Sequence, residues 1–422
     1  MRFFQKIFVS LSAQQTTLSI LRQKLQMKTL LSTLMLFLVL TTAKAQAPAF
    51  ARGADVSWCT EMENAGKKFY NAEGTETELM ALLRQTGLNA IRLRVWVNPE
   101  NVYGPWCDKA DVLVKARRAK AQGMALLIDF HYSDRFTDPG QQYKPSAWTN
   151  YNMEELKAAV TNHTTDVLLA LQAEGIEPQW VQVGNETRPG MIFNEGKIDW
   201  SKSGAAAWSG YIALSNAGYD AVKSVLPDTK VIVHIDKGPE DNAWFFTAFK
   251  QYGGKFDMIG LSHYPDWTNW SSDNTKTANN VTTLGNTFNV PVMIVETGYS
   301  AWDESRAANV MKDLFTKTQN LSACAGIFYW EPEVYGSWKP AAYQTWGWNA
   351  YDKGAFTSEG KPSAAIAAFK DETSGITATD IQDDNDPVRW FDLQGRSIDK
   401  PLNGVAIRQQ GRNTCKVVKG KR

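Results

Sequence analysis

Two glutamates stand in matching places. Glu186 lies in WVQVGNETRPG (180–190) and Glu296 in VMIVETGYS (292–300), each closing a short apolar, β-branched run and each two residues from a glycine. Such runs read as buried strands, so each carboxylate sits where a strand ends. A single carboxylate there is ordinarily a solvated turn residue. Two of them brought to one mouth can divide the labour of cutting a glycosidic bond: one stays protonated and serves the leaving oxygen, the other is ionised and attacks. A separation of about 5–5.5 Å gives attack by the carboxylate with retention, and a wider one leaves room for an inverting water. The two roles need pKa values pushed apart by their surroundings. Arg92 and Arg94, two apart in AIRLRVW (90–96), face the same side of a strand, and a guanidinium beside one carboxyl keeps it ionised. Asn185 is placed to hold a sugar hydroxyl at the reacting ring.

The pair works only if the fold brings the strand ends together. Apolar, β-rich runs recur at 53–58 (GADVSW), 90–96, 125–132 (ALLIDFHY), 179–186 (QWVQVGNE), 230–236 (KVIVHID), 258–265 (MIGLSHYP), 291–298 (PVMIVETG) and 325–332 (AGIFYWEP). Most spacings suit one βα unit and its loop. Helical periodicity fills several of the intervals, at 76–85, 109–122, 153–172 and 208–226. Asp108 is a fitting N-cap for the second, and Gly87 and Gly123 are fitting terminators for the first two. Eight strands alternating with helices predict a (β/α)8 TIM barrel. A doubly wound open sheet is the alternative, but no glycine-rich phosphate loop follows any strand. On a barrel the C-terminal strand ends carry the chemistry. Here they offer Trp58, Arg92, Arg94, Trp96, His131, Asn185, Glu186, Asp236, His263, Tyr264, Glu296, Trp330 and Glu331.

Composition narrows the partners. The 422 residues carry a net +1. From Met27 the text MKTLLSTLMLFLVLTTAKAQA reads as a signal peptide with an A-x-A cleavage site, so residues 1–45 are expected to be removed, with the true start at Met27 and export to the periplasm, the cell surface or the medium. Its apolar core is too short for a membrane span. Residues 1–45 hold six basic and no acidic residues, so the chain from Gln46 carries −5, and no basic patch suggests nucleic acid. Sixteen tryptophans in such a chain suit stacking on sugar faces. The four cysteines and four histidines show no metal-ligand spacing, and no cofactor or metal is expected. Cys59 and Cys107 follow neighbouring strands at the catalytic end, and a disulfide between them is expected. Cys324 is expected to be free.

Several longer motifs, in order, resemble one family: RGADVSW (52–58), KFYNAEG (68–74), IRLRVWVNP (91–99), DFHYSD (129–134), VQVGNET (181–187), LSNAGYDAVK (214–223) and VETGYS (295–300). Together they resemble glycoside hydrolase family 53, the arabinogalactan endo-β-1,4-galactanases of clan A, over roughly residues 50–370. The resemblance implies Glu186 as general acid/base and Glu296 as nucleophile, with Arg92 beside the nucleophile. It also implies that His131, Asn185, Tyr264 and Trp330 line the subsite of the reacting galactose. Arg94 and His263 join these as expected substrate contacts. The implied reaction is internal, retaining cleavage of the β-1,4-galactan of pectic arabinogalactan. His263, Arg135-Phe136 and Phe193 depart from the family pattern and bear on subsite preference. The rivals are another retaining clan A endo-glycanase, such as a β-mannanase or xylanase, and a non-catalytic glycan-binding barrel.

The barrel is expected to span 46–372. Residues 373–387 read as a linker. Residues 388–422, nine basic and two acidic, alternate as a short β-rich tail resembling the sorting regions of exported Bacteroidetes proteins.

Overall fold

The computed structural model describes residues 47–99 and 103–370 and, in the tail, 389–391, 397–398, 404–410 and 413–419. Eight parallel strands close a barrel in sequence order: β1 Ala51–Asp55, β2 Ala90–Val95, β3 Ala125–Phe130, β4 Trp180–Val183, β5 Lys230–Ile235, β6 Met258–His263, β7 Val292–Thr297 and β8 Cys324–Trp330. β8 pairs back onto β1, which excludes the open sheet. Each strand is shorter at its C-terminal end than its apolar run, and the mouth is lined by the last strand residues, such as Glu296 and Trp330, and by residues just past a strand, such as His131, Asn185 and Glu186.

Helices cover the barrel: α1 Cys59–Asn64, α2 Leu79–Gln85, α3 Lys109–Ala121, α4 Met153–Ala173, α5 Ala205–Val225, α6 Ala243–Gln251, α7 Trp270–Phe288, α8 Glu304–Thr318, α9 Ala341–Trp346 and α10 Ala364–Ala367. The expected caps form. Asp108 Oδ1 accepts the Asp111 N–H at 2.8 Å, and Asn152 with Glu155 makes a capping box that starts the long α4. The helix at 208–226 begins three residues earlier than its periodicity suggests, because Ala205–Ala207 extend α5.

Two apolar layers hold the barrel. The outer one fills the space between strands and helices. The inner one plugs the lower half of the barrel with Ala51, Ala90 and Ala125 on three neighbouring strands and the bulky Trp180 and Phe328, whose rings meet edge-on at 6.3 Å. Gly53 completes the small side, since a Cβ there would fall 2.2 Å from the Phe328 ring. With its lower half filled, the barrel leaves only the upper strand ends for polar side chains.

One expectation changes. Cys59 and Cys107 are both buried and both free thiols. Cys107 Sγ points to the Ser57 carbonyl at 3.6 Å, and Cys59 Sγ receives Arg118 Nη1 at 3.9 Å. Adjacent strands bring the two backbones into one neighbourhood, but a disulfide also needs converging Cβ vectors. Cys324 is free and buried, as expected. The tail forms a four-stranded antiparallel sheet in the order β10-β9-β11-β12, with β9 Arg389–Phe391, β10 Ser397–Ile398, β11 Gly404–Gln410 and β12 Asn413–Lys419, so it holds more than one hairpin. The expected signal peptide and linker lie outside the described residues.

Candidate active site

The upper strand ends meet around Arg92. Its guanidinium is fully buried and reaches five partners at once: Nη1 donates to Asp55 Oδ2 at 2.7 Å, and Nη2 lies 2.8 Å from Asp129 Oδ2, 2.8 Å from Glu296 Oε1, 2.9 Å from Asn185 Oδ1 and 3.3 Å from Gln182 Oε1. Adjacent strands supply two of the set, since Asp55 ends β1 opposite Arg92 and Asp129 sits opposite Arg94 on β3, while Asn185 follows β4 and Glu296 comes from β7. A planar fork suits this task, because one cation can brace several carboxylates in fixed directions. Glu296 also accepts from the Tyr264 hydroxyl at 3.1 Å. Burial first, and then the charges of Asp129 and Asp55, raise its carboxyl pKa to about 7 against the lowering pull of Arg92 and Tyr264.

Glu186 is braced differently. Gly184, at φ +84°, makes the turn out of β4, where a Cβ would also strike Thr187. Glu186 itself is held at φ +49°, a left-handed conformation uncommon outside glycine. No cation pairs with its carboxylate among the described residues. Its Oε1 accepts from Ser262 Oγ at 2.6 Å, and Ser262 Oγ lies 2.8 Å from His234 Nε2. His234 Nδ1 accepts from Gln182 Nε2 at 2.9 Å and from the Glu186 N–H at 3.3 Å, which places the ring proton on Nε2. The relay therefore runs from His234 Nε2–H to Ser262 and from the Ser262 hydroxyl to Glu186, leaving Oε2 to carry the carboxyl proton. Burial first, and the charge of Glu296 second, raise Glu186 well above an ordinary carboxyl. Glu296 therefore ionises first and Glu186 keeps its proton.

A cleft of about 420 Å³ opens above the pair. Glu186, Glu296, Asn185, His131, Tyr264 and Trp330 all line it, with Phe136, Trp348 and Tyr351 among the walls. His131 contributes its ring: Nε2 lies 3.0 Å from Asp129 and Nδ1 accepts from the Thr137 N–H at 3.1 Å. Trp330 stands edge-on to Trp58 at 5.1 Å and to Tyr351 at 4.9 Å, so its plane is fixed.

Two of the expected contacts lie elsewhere. Arg94 is buried beneath the cleft, paired with Glu331, and its guanidinium carbon lies 4.6 Å from the Phe136 ring centre and 5.1 Å from that of Trp58. It supports the aromatic floor and does not line the cleft. His263 points out of the barrel into α7, where Nε2 meets Asn274 Oδ1 at 2.6 Å and Nδ1 meets Thr277 Oγ1 at 3.0 Å. Strand alternation is the reason: Met258 faces the barrel interior, so Ser262 does too and His263 cannot. Asp236 is held by a bidentate ion pair with Arg188. Sequence reasoning missed Asp55, Gln182, His234 and Ser262. Their signal was available: each is a polar residue within or at the end of an apolar strand, a costly position unless a partner waits there.

Two expected results follow from this wiring. Ser262→Ala removes a donor to the Glu186 carboxylate, so the Glu186 pKa rises and the alkaline limb of kcat/KM moves to higher pH. An unmoved limb would break the relay. Near Arg94, Glu331 receives the Trp58 N–H at 3.1 Å, while the buried Glu333 carboxyl lies against Glu331 with no cation paired to it among the described residues. Burial and then the charge of Glu331 raise the Glu333 pKa well above its ordinary value. A pKa raised on folding contributes stability that is complete below the unfolded carboxyl pKa of about 4.3 and is lost as pH rises through the folded value. Glu333→Gln should therefore stabilise the protein at alkaline pH by about 1–3 kcal/mol, with the gain vanishing toward pH 4. Thermal unfolding across pH reads this, and a pH-independent difference would refute it.

Fold and site together define a carboxylate-pair hydrolase of the (β/α)8 class. The family model for glycosyl hydrolase family 53 matches residues 51–369. An arabinogalactan endo-β-1,4-galactanase from Cellvibrio japonicus is 34% identical over 326 residues, covering 71% of this chain and 84% of that protein. An endo-β-1,4-galactanase from Bacillus subtilis is 31% identical, covering 67% of this chain and 70% of its own length. Among solved structures, the family 53 catalytic domain from Ignisphaera aggregans superposes with a TM-score of 0.65 at 29% identity, covering 76% of this chain and 96% of that domain. A fungal β-1,4-galactanase gives 0.64 at 28% identity, covering 76% and 99%. The chain belongs to glycosyl hydrolase family 53.

Proposed function

We propose that the protein is an endo-β-1,4-galactanase that cuts internal bonds of pectic galactan with retention of configuration. Glu296 attacks the anomeric carbon while Glu186 donates its proton to the departing O4, so the glycosidic bond breaks and a galactosyl ester of Glu296 forms. Water then enters, Glu186 takes its proton, and attack at the same carbon releases the sugar and restores both carboxyls. The observation that carries this reading is the asymmetry of the pair: Glu296 lies 2.8 Å from the Arg92 guanidinium, whereas among the described residues the Glu186 carboxylate has the Ser262 hydroxyl and no cation. Trp330 and His131 offer ring surfaces to the reacting sugar, and Asn185, fixed between Arg92 and the Thr137 carbonyl, orients its hydroxyls. The family membership and the galactanase activities of the named relatives support the substrate.

Release of reducing ends from β-1,4-galactan, β-1,3-galactan, mannan, xylan and cellulose tests it. Short oligosaccharides are expected from β-1,4-galactan alone. Turnover of another polymer instead keeps the mechanism and overturns the substrate, and silence on all five favours a binding protein. Export is part of the proposal, and N-terminal sequencing of the secreted protein should begin at Gln46.

A further inference from the structure

Of the sixteen tryptophans, four are exposed: Trp200 at 62%, Trp244 at 47%, Trp267 at 44% and Trp302 at 84%. All four follow consecutive strands at the catalytic end. Trp200 lies between β4 and α5, Trp244 opens α6 after β5, Trp267 lies between β6 and α7, and Trp302 between β7 and α8. The remaining tryptophans, including those after β8, are buried or half-buried. A scattered exposed apolar side chain is ordinary, but a set gathered on one face marks a binding surface.

We propose that these rings form an outlying track that holds galactan beyond the cleft. The inference rests on the galactanase reading and extends it to a second binding surface. Three observations support it. Two of the rings are held at their edges and stay exposed: Trp200 and Trp244 are neighbours at 6.3 Å, with Trp208 edge-on to the first at 6.1 Å and Phe245 edge-on to the second at 5.8 Å. Trp267 is stacked on Tyr299 at 5.5 Å and 6°, the Tyr299 hydroxyl donates to the Trp267 carbonyl at 3.0 Å, and the Arg306 guanidinium carbon lies 4.3 Å from the Trp267 ring centre, so this ring is the most covered of the four. Two of the rings are close in the chain to residues that line the cleft, since Trp267 shares a loop with Tyr264 and Trp302 lies on the loop that follows Glu296. Finally, about 420 Å³ is a modest cleft, so a polymer cut internally must run out across the rim. Flat, rigid aromatic faces suit the C–H faces of hexopyranose rings, and they give up little conformational freedom on contact.

The test compares wild type with Trp200→Ala/Trp244→Ala and with Trp302→Ala on linear β-1,4-galactan and on a short aryl β-galactobioside. The expected result is a KM for the polymer raised about tenfold by the double variant, with kcat and the short-substrate kcat/KM within about twofold of wild type. Unchanged polymer KM in both variants overturns the track, and so does an equal loss on both substrates, which would place the rings in the cleft or the fold. Sedimentation of wild type and variants covers the rival occupant: a wild-type dimer that the substitutions dissociate would make the rings a self-association face. A wild type that cuts galactan beside variants that match it removes only the track, whereas a wild type silent on galactan removes both readings.

Discussion

Glu296→Gln is expected to lower kcat on galactan on the order of 10⁴-fold or more while leaving galactan binding nearly intact. Gln keeps the shape of the side chain and an acceptor for Tyr264, but it cannot form the ester that divides the reaction into two steps. Arg92 retains Asp55 and Asp129 in the variant, so the scaffold stays paired. Glu186→Gln should cost less, about 10²–10⁴-fold, and the cost should depend on the leaving group. An aryl galactobioside with an acidic phenol departs without a proton, so its first step should survive Glu186→Gln far better than that of galactan. Loss on both substrates for Glu296 and a selective loss for Glu186 would assign the roles. If Glu296→Gln keeps kcat within tenfold of wild type, Glu296 is not the nucleophile.

Arg92→Met should be the most damaging substitution for the fold among the site residues. It leaves Asp55, Asp129 and Glu296 sharing a buried pocket without their cation, and breaking one partner of such a network costs about 3–5 kcal/mol. The sign of its pH dependence follows from Asp129. Burial raises that carboxyl, yet Arg92 and His131 outweigh it and hold the pKa below the ordinary value. The resulting stability is present above the unfolded Asp pKa, about 3.9, and is lost as pH falls through the folded value. Denaturant unfolding at neutral pH should show the whole loss, and at low pH the variant and wild type should converge. Arg92→Lys retains a charge but not the fork. It should fold, and it should raise the pKa of Glu296, moving the acid limb of kcat/KM to higher pH. An acid limb at the wild-type position in Arg92→Lys would mean that Arg92 does not hold Glu296 ionised.

Much of the site was legible because its residues are of improbable type for their places. A Glu after WVQVGN, a Glu after VMIV and paired Arg within AIRLRVW each contradict a buried apolar strand unless function or a partner explains them. The eight-fold recurrence of such strands led to the barrel. The relay behind Glu186 stayed hidden because its members sit on three strands far apart in the chain: Gln182, His234 and Ser262 become neighbours only when β4, β5 and β6 pair. Residue type points to His263 at the end of β6, but the parity of the strand turns Ser262 into the barrel and His263 toward α7.

The sequence alone determined the eight barrel strands, several of the helices between them and the places of the two carboxylates and of an arginine pair, since apolar periodicity and misplaced charge are properties of the chain; that Arg92 and not Arg94 meets Glu296 is seen only in the folded site. Which way Glu296 points was decided only by tertiary structure. Met293 and Val295 face the barrel interior, so strict alternation would turn Glu296 outward into the helices. The pairing of β6 with β7 shifts by one residue there: Leu261 stands opposite Ile294, but Ser262 stands opposite Glu296. That extra residue swings Glu296 into the mouth beside Arg92. A one-residue slip reverses the face of every side chain beyond it, and such a slip is set by how the closed barrel must pair.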